Sequence, residues 1–394
     1  MRRLRTISTR QLLAIAGAIV VLAGAAGIAQ AALGGAAKPA PKPLDRAIVD
    51  AVDAPPVQGV TARIHFTNNL LPSGTLPQGS GSPVMTGADG RLWLSNDGRL
   101  RLELQSSAGD AQIVVADGRF SIYDAGSNTA YVGTLPSSGD GTAHPGGAPL
   151  TLAGVDKALA QLGKLWSVSG AQPGTTAGRP SYTVRIAPKD DGGLLGAAEL
   201  AFDAAHGVPL RAAIYAQGQS APVIELAATS IAYGKIGDAT FDTTPPAGAK
   251  LVQLGAPALG TPSHGAGGAP VDGLAAVQKQ VGFTIAAPDT LAGLPRKDVR
   301  LLRAGGETGA IVSYGQGLGA IAVIQTPAQP GGAGASGDLG AALKLPTVNV
   351  NGATGTELAT ALGTVVRFQH AGVGYVVLGS VPPLAAENAA RALT

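Results

Sequence analysis

Gly98–Leu104 reads GRLRLEL, and Ile113–Asp124 reads IVVADGRFSIYD. In the first stretch leucines alternate with Arg and Glu, a period of two that is typical of a strand with one buried and one solvated face. The second stretch is two alternating runs on either side of an Asp-Gly pair, which favours a tight hairpin turn. Together they predict an antiparallel meander with one apolar face. What covers that face decides the function.

The alternation continues on both sides of this meander. Val60–Phe66 alternates apolar with polar residues, and Arg91–Ser95 and Thr129–Thr134 are further predicted strands. Leu150–Trp166 carries apolar residues at spacings of three and four, which predicts an amphipathic helix. Later in the chain four more strands are predicted, at Ser181–Ala187, Ala197–Asp203, Val208–Ala216 and Val223–Ala232.

Composition limits the chemistry that the chain can perform. Cysteine is absent, so disulfides, thiolate metal sites, a cysteine nucleophile and a lipid-modified cysteine are excluded. The net charge is +3, and much of the basic excess lies in residues 1–10, so no folded part has the charge of a nucleic-acid binder. The five histidines are not paired at metal-binding spacing. We therefore expect no enzymatic activity, no cofactor and no metal.

The N-terminus is predicted to direct export. Met1–Arg10 is basic, and Leu12–Leu33 is uncharged. Residues 1–33 are either a signal anchor, since about 20 apolar residues span a bilayer, or a signal peptide cleaved after the small residues Ala29–Ala31. In both cases the arginines stay in the cytoplasm. The expected location is the cytoplasmic membrane with the C-terminal bulk outside the cytoplasm, or secretion after cleavage.

The length of 394 residues predicts roughly two or three domains. The predicted segments are a tether at 34–43, a first domain at 44–252, a flexible linker at 253–270 and a second domain at 271–394. The linker is Gly-, Ala- and Pro-rich and has no apolar period. Within the first domain, Asn68–Thr86 is rich in Gly, Pro and Ser and is expected to be a mobile loop or lid.

The order of motifs in the first domain resembles the LolA-type lipoprotein-carrier superfamily, which includes the MucB/RseB-like regulators of sigma factors. The matching segments are Gly98–Glu103, Asp117–Asp124, Asn128–Tyr131, Phe202–Arg211, Ile231–Tyr233, Phe241 and Pro245–Ala249. The resemblance covers about Asp45–Val252. It implies an open antiparallel β-barrel (LolA-like) with helices packed on it and a hydrophobic cavity. Two departures are the low aromatic content of 4% and the Asn68–Thr86 loop.

The second domain resembles a small module at the exported C-termini of bacterial anti-sigma- and sporulation-associated membrane proteins. Val281–Phe283, Val350–Gly352, Phe368 and Gly374–Ser380 carry this resemblance. It implies a fold rather than a mechanism. The expected fold class is therefore α+β: an N-terminal membrane helix, an open β-barrel domain and a small α+β domain.

The candidate site is the apolar face of the first domain. Its predicted lipid-binding residues are Ile64, Phe66, Leu92, Leu94, Leu100, Leu102, Leu104, Ile113, Val115, Phe120, Ile122, Val184, Ile186, Leu200 and Phe202. In one interpretation this face packs on the Leu150–Trp166 helix as an ordinary core. In the other it holds an acyl chain, since burial stabilises by about 0.8 kcal/mol per methylene. Arg99 and Arg101 point the other way and are expected on a solvated face, or to bind a head group or partner.

Three functions follow from these interpretations. The first is a membrane-associated carrier that binds a lipid or lipoprotein acyl chain at the cytoplasmic membrane. The second is an envelope sensor or regulator that acts through a membrane-protein partner, as the MucB/RseB resemblance implies. The third is a structural envelope module whose two faces are fully packed. Nucleic acid is not an expected partner.

Overall fold

The computed structural model describes residues 37–72, 82–107, 109–135, 152–189, 193–254, 271–304, 307–328 and 345–394. The chain is mostly β with few helices, so the open β-sheet of the expected fold is confirmed and its helical part is smaller than expected. Its helices are short: the sequence predicts a helix over Leu150–Trp166, whereas α3 spans Leu152–Leu162 and Trp166 begins a strand. The predicted membrane helix at residues 1–33 lies outside the described residues. Among the described helices none is long and apolar enough to cross a membrane.

The first domain is built on one sheet of thirteen strands. Its strands are β1 (Gly59–Asn68), β2 (Ala88–Ser95), β3 (Leu100–Ser106), β4 (Gly109–Ala116), β5 (Arg119–Asp124), β6 (Thr129–Thr134), β7 (Trp166–Val168), β8 (Gln172–Thr176), β9 (Arg179–Pro188), β10 (Leu195–Asp203), β11 (Pro209–Ala216), β12 (Ile224–Tyr233) and β13 (Lys250–Gln253). The order is β13-β6-β5-β4-β3-β2-β1-β12-β11-β10-β9-β7, and β8 also pairs with β9. The sheet curls into a half-barrel.

The meander predicted from the sequence is β2–β6. Strands β2–β6 pair with one another antiparallel, and Leu92, Leu102, Ile113 and Ile122 lie directly opposite one another on successive strands. Because side chains alternate between faces along a strand, this register places all the leucines of β3 on one side. At the Asp-Gly turn between β4 and β5, Asp117 has φ +51° and Gly118 has φ +71°, as a type I′ hairpin requires.

Two helices cover the β9–β10 end of the sheet. Helix α1 (Leu44–Val52) buries Ala47 against Tyr182 of β9 and Phe202 of β10. Helix α3 packs mainly against α1 and β7. Helix α3 therefore packs at the β9–β10 end of the sheet, and the leucine-bearing strand β3 is not among its main neighbours.

The polar side of the sheet is crossed by a segment that we call the strap, Asp238–Gln253. It begins with a 3-10 turn and ends with β13, which pairs in parallel with β6. Arg99 forms an ion pair with Asp238 at 2.9 Å, and Arg101 donates to the carbonyl oxygen of Thr240 at 3.2 Å. Both arginines are partly buried. The expectation of a solvated face was wrong here, because these arginines hold the strap.

The second domain is one antiparallel sheet of eight strands with helices α4 (Leu274–Gln278) and α5 (Pro383–Arg391). The strands are β14 (Thr290–Leu291), β15 (Leu294–Ala304), β16 (Glu307–Tyr314), β17 (Ile321–Pro327), β18 (Thr347–Val350), β19 (Ala353–Thr360), β20 (Gly363–His370) and β21 (Val373–Gly379). Val312, Val323 and Val377 are fully buried in its core. The backbone N–H of Leu194 donates to Ser380, which joins the two domains.

Candidate functional site

The candidate site is the apolar face of β1–β6, the side of the sheet opposite the strap. Two rows of side chains run across the strands. The first row is Ala62, Leu92, Leu102, Ile113, Ile122 and Tyr131, and the second is Val60, Leu94, Leu100, Val115 and Phe120. Neighbouring strands lie about 4.8 Å apart, so each row is continuous apolar surface.

This face is buried at one end and open at the other. Ile64 and Leu104 are each only 2% exposed, because they pack in the cluster around β1. Eight large apolar side chains are only partly buried: Leu92, Leu94, Leu100, Leu102, Ile113, Val115, Phe120 and Ile122. At the edge of the same row Tyr131 is 36% exposed. A contiguous partly exposed apolar surface of this kind suits an apolar ligand or partner.

The structure divides the predicted residues into two groups. Phe66 joins the partly buried members of the β1 cluster. Phe202 is instead 6% exposed and packs with Val184 and Tyr182 under α1, so Phe202 and Val184 belong to a helix-covered core. Ile186 and Leu200 also lie on β9 and β10 and are partly buried. The four residues of β9 and β10 are thus separated from the open part of the face.

Several residues of the apolar cluster were not predicted. Leu226, Ile231 and Tyr233 of β12 pack against it, because β12 pairs with β1. The alternation of Val223–Ala232 predicts a strand. Its pairing with β1, about 160 residues earlier in the chain, cannot be predicted from local sequence patterns. A register shift next to Arg63 also changes which β12 residues face the cluster.

Part of the predicted lid contacts the apolar face. Helix α2 (Pro83–Thr86) lies near the end of the Asn68–Thr86 segment, and Val84 packs against the β1 cluster. The side-chain amide of Asn68 donates to the carbonyl oxygen of Val84 at 2.8 Å, which fixes α2 to the end of β1. Residues 73–81 lie outside the described residues, so only the two ends of the predicted lid, 68–72 and 82–86, are placed.

A buried ionic cluster supports the opposite end of the domain. Asp203 is 1% exposed and accepts hydrogen bonds from Arg179 at 2.9 Å and from the Tyr233 hydroxyl at 2.7 Å. The backbone N–H groups of Ala205 and His206 also donate to it. Burial raises the pKa of Asp203, but the bonds from Arg179 and Tyr233 outweigh it and leave the pKa below its usual value.

This cluster fixes the turn between β10 and β11. Gly207 follows His206 with φ +67°, and a side chain there would lie 2.2 Å from the carbonyl oxygen of Ala51 at the end of α1. The hydrogen bond between the His206 ring and Asp203 at 3.2 Å places His206 in the ionic cluster. The ionic cluster around Asp203 therefore positions α1 over β9 and β10. Among the described residues, no group of His, Asp and Glu side chains gathers as metal ligands.

Comparison with known proteins gives similarity to solved structures only. No family model matches the chain, and no curated protein matches it. The chain is similar to MucB in complex with MucA(peri), at 17% identity over 88% of this chain and 94% of that chain, with a TM-score of 0.40. The same values hold for the Pseudomonas aeruginosa MucA/MucB complex. A putative outer membrane lipoprotein-sorting protein domain from Vibrio parahaemolyticus matches at 9% identity over 51% of this chain and 96% of that chain, with a TM-score of 0.21.

MucB-like regulators and lipoprotein carriers both belong to the superfamily that the first-domain motifs resemble. TM-scores of 0.40 and 0.21 carry no functional argument, so the function depends on the chain's own residues. The resemblance of the second domain to a sporulation-associated module stays a prediction.

Proposed function

We propose that the protein is an exported, membrane-associated lipid-binding or lipoprotein-carrier protein that holds an acyl chain on the apolar face of β2–β6. The observation that supports this proposal is the set of eight large, partly buried apolar side chains on adjacent strands. Their partial burial leaves apolar area for a ligand to cover, whereas a purely structural module would have both faces packed.

The size of the face agrees with an acyl ligand. Five strands at about 4.8 Å spacing give a surface roughly 19 Å across. Ten methylenes buried on it would contribute about 8 kcal/mol, before the costs of ordering the chain and immobilising the ligand. Binding of this kind is non-covalent and reversible, as a carrier or a lipid sensor requires.

The opposite face supports the proposal by holding the sheet in shape. Arg101 binds Glu103, Gln112 and the strap carbonyl of Thr240, so β3, β4 and the strap are tied together on that side. Phe241 of the strap is only 3% exposed. With the polar side fixed in this way, the apolar side is free to exchange a ligand without loss of the sheet.

A second proposal is an envelope sensor or regulator that acts through a membrane-protein partner. The observation in its favour is on the polar face, where Arg63 and Arg91 lie side by side and form no ion pair with any described residue. Two free guanidinium groups are suited to an acidic partner. In this proposal the apolar face binds a lipid or a partner, and the polar face passes this binding on to the membrane-protein partner.

Photolabelling tests the carrier proposal without removing any segment. The full chain is reconstituted in vesicles that contain a phospholipid with a photoactivatable group near the end of its acyl chain. After irradiation, mass spectrometry locates the labelled peptides. We expect labelling on β2–β5 in addition to any labelling of residues 12–33, which are expected to contact the bilayer.

Two neighbouring substitutions on β5 provide the comparison. Ile122→Gln places an amide on the apolar face, and Tyr123→Gln is the matched control on the polar face. Labelling of β2–β5 should fall several-fold in the first variant and stay near the wild-type level in the second, with unfolding midpoints checked for both. Labelling confined to residues 12–33 in the wild type, or an equal loss in both folded variants, would reject acyl-chain binding on this face.

A further inference from the structure

A recess of about 490 Å³ opens on the polar face, where β12, β1 and β2 run side by side. Its polar and aromatic lining is Thr61, Arg63, Arg91, Trp93 and Ser230. Ala62 of β1 and Ile231 and Ala232 of β12 complete the lining. We call this recess the cationic groove. It lies on the opposite side of the sheet from the apolar face, so a ligand there would not compete with an acyl chain.

The two arginines of the cationic groove face each other across neighbouring strands. Arg63 of β1 is directly opposite Arg91 of β2, and both side chains are exposed. Like charges at directly opposite positions destabilise a sheet. The residue opposite Arg91 on its other side is Glu103, but Glu103 is bonded to Arg101 through Nε at 2.8 Å and Nη2 at 2.6 Å. Glu103 therefore does not pair with Arg91, and neither Arg63 nor Arg91 forms an ion pair among the described residues.

The same face is organised differently on β9–β12. There Glu199 accepts bonds from Arg185 at 2.7 Å and from Arg211 at 2.8 Å, and Arg211 also pairs with Glu225. Acids and arginines alternate, so the charges of that region neutralise one another. The unpaired Arg63 and Arg91 are therefore not a general property of this face. They are a local excess of positive charge in a recess.

The remaining lining defines which anion would fit. Trp93 lies opposite Thr61 on β1 and is partly buried, with the guanidinium of Arg101 at 6.0 Å from its ring centre. Its indole offers an apolar wall beside the two charges, and aromatic residues with arginine are frequent anchors for protein partners. Ser230, opposite Arg63 on β12, adds a hydroxyl donor. A carboxylate next to an apolar side chain matches this combination.

The shape distinguishes a peptide from a membrane surface. The groove crosses three strands, about 10 Å from the first to the third, which is the length of roughly three extended residues. A short protein segment can enter a recess of this size, whereas a planar anionic bilayer would meet its rim. Within the recess, the planar guanidinium can bind both oxygens of a carboxylate.

We propose that the cationic groove binds an extended acidic peptide segment of a partner protein, with a carboxylate between Arg63 and Arg91 and a neighbouring apolar side chain against Trp93. This inference names the partner chemistry of the sensor proposal. It does not depend on acyl-chain binding, which takes place on the other face.

Peptide binding to the full chain in a zwitterionic detergent tests the proposal. The probe is a short fluorescein-labelled peptide with two adjacent glutamates beside a phenylalanine, and the control probe carries glutamines instead. Binding is followed by anisotropy, and by indole fluorescence in a Trp166→Phe background, where Trp93 is the one remaining tryptophan of the sequence. The glutamate probe should bind, change the Trp93 emission and weaken as salt is added.

Substitution of the groove arginines should weaken binding. We expect Arg63→Gln together with Arg91→Gln to lower the affinity at least tenfold, since each loses a charge-assisted hydrogen bond to the carboxylate. Arg119→Gln removes an exposed charge of the same face on β5 and should change the affinity less than about twofold. The double variant should stay folded, because it removes a repulsion, and should keep its acyl-chain photolabelling.

Three results would overturn the proposal. The first is equal binding of the glutamate and glutamine probes. The second is unchanged affinity in the folded double variant. The third is binding to phosphatidylglycerol vesicles, lost in the double variant, with no binding of the peptide, which would assign the groove to a membrane surface. If the wild-type chain binds the peptide but shows no photolabelling of β2–β5, only the carrier proposal is rejected.

Discussion

Replacement of Asp203 by Asn tests whether the buried ionic cluster holds the first domain together. One carboxylate oxygen, Oδ2, accepts from both Arg179 and the Tyr233 hydroxyl, and the other, Oδ1, accepts from two backbone N–H groups. The amide of Asn retains an oxygen for the backbone donors but presents an N–H₂ group to the two side-chain donors. Two charge-assisted bonds are lost at about 1.5 kcal/mol each, so we expect the free energy of unfolding to fall by about 3 kcal/mol.

Urea unfolding followed by tryptophan fluorescence measures this change. Trp93 and Trp166, the two tryptophans of the sequence, both lie in the first domain, so the signal reports that domain. Asp89→Asn is the matched control, because its side chain is 82% exposed and its pairing with His65 is solvated. The control should change the free energy of unfolding by less than about 0.5 kcal/mol.

The pH dependence gives a second measurement of the same interaction. The pKa of Asp203 is lower in the folded protein than in the unfolded chain. Its contribution is therefore fully present above the unfolded value, about 3.9, and is lost as the pH falls through the folded value. The difference in stability between wild type and Asp203→Asn should shrink as the pH drops below about 4. A loss under 1 kcal/mol at neutral pH, or a difference that grows in acid, would refute this account.

Three further predictions use other contacts. Gly207→Ala should destabilise the first domain by more than about 1 kcal/mol in urea unfolding, because φ is +67° and the new Cβ would clash with the carbonyl oxygen of Ala51; a neutral result would contradict that contact. Arg101→Gln should free the strap, so proteolysis within the strap should become several-fold faster while a matched Arg119→Gln variant stays at the wild-type rate. Burial and the neighbouring Glu387 raise the pKa of Glu357, so its ionisation costs stability as the pH rises above the unfolded value, and this cost is complete above the folded value. Glu357→Gln should accordingly raise the thermal midpoint of the second domain at neutral pH, by an amount that declines in acid, and an unchanged midpoint would count against it.

Local alternation was sufficient to predict the meander. Strands β2–β6 follow one another with short turns, so each strand pairs with the next and the register follows from the turn. The apolar face of Leu92, Leu102, Ile113 and Ile122 is a direct consequence, because each strand places every second residue on the same side. These residues were identified from the sequence, and whether they bind lipid stays a prediction.

Contacts between distant segments could not be predicted in this way. Pairing of β1 with β12, and the strap that engages Arg99 and Arg101, join residues more than 130 positions apart. A polar strand face has the same pattern of alternating residues whether water or another segment covers it. The strap was therefore missed, and the two arginines were expected in solvent.

The amino-acid sequence by itself determined the absence of cysteine chemistry, the strand periodicity of both domains and the existence of an apolar face on the first, since composition and period are local properties. The tertiary structure decided which part of that face is covered. Helix α1 buries Phe202 and leaves the side chains of β2–β5 partly open. It also placed Arg63 beside Arg91 and turned Glu103 toward Arg101. Burial of the apolar face and the pairing of charges depend on which segments are in contact. Those contacts are determined by the whole fold rather than by any one stretch of chain.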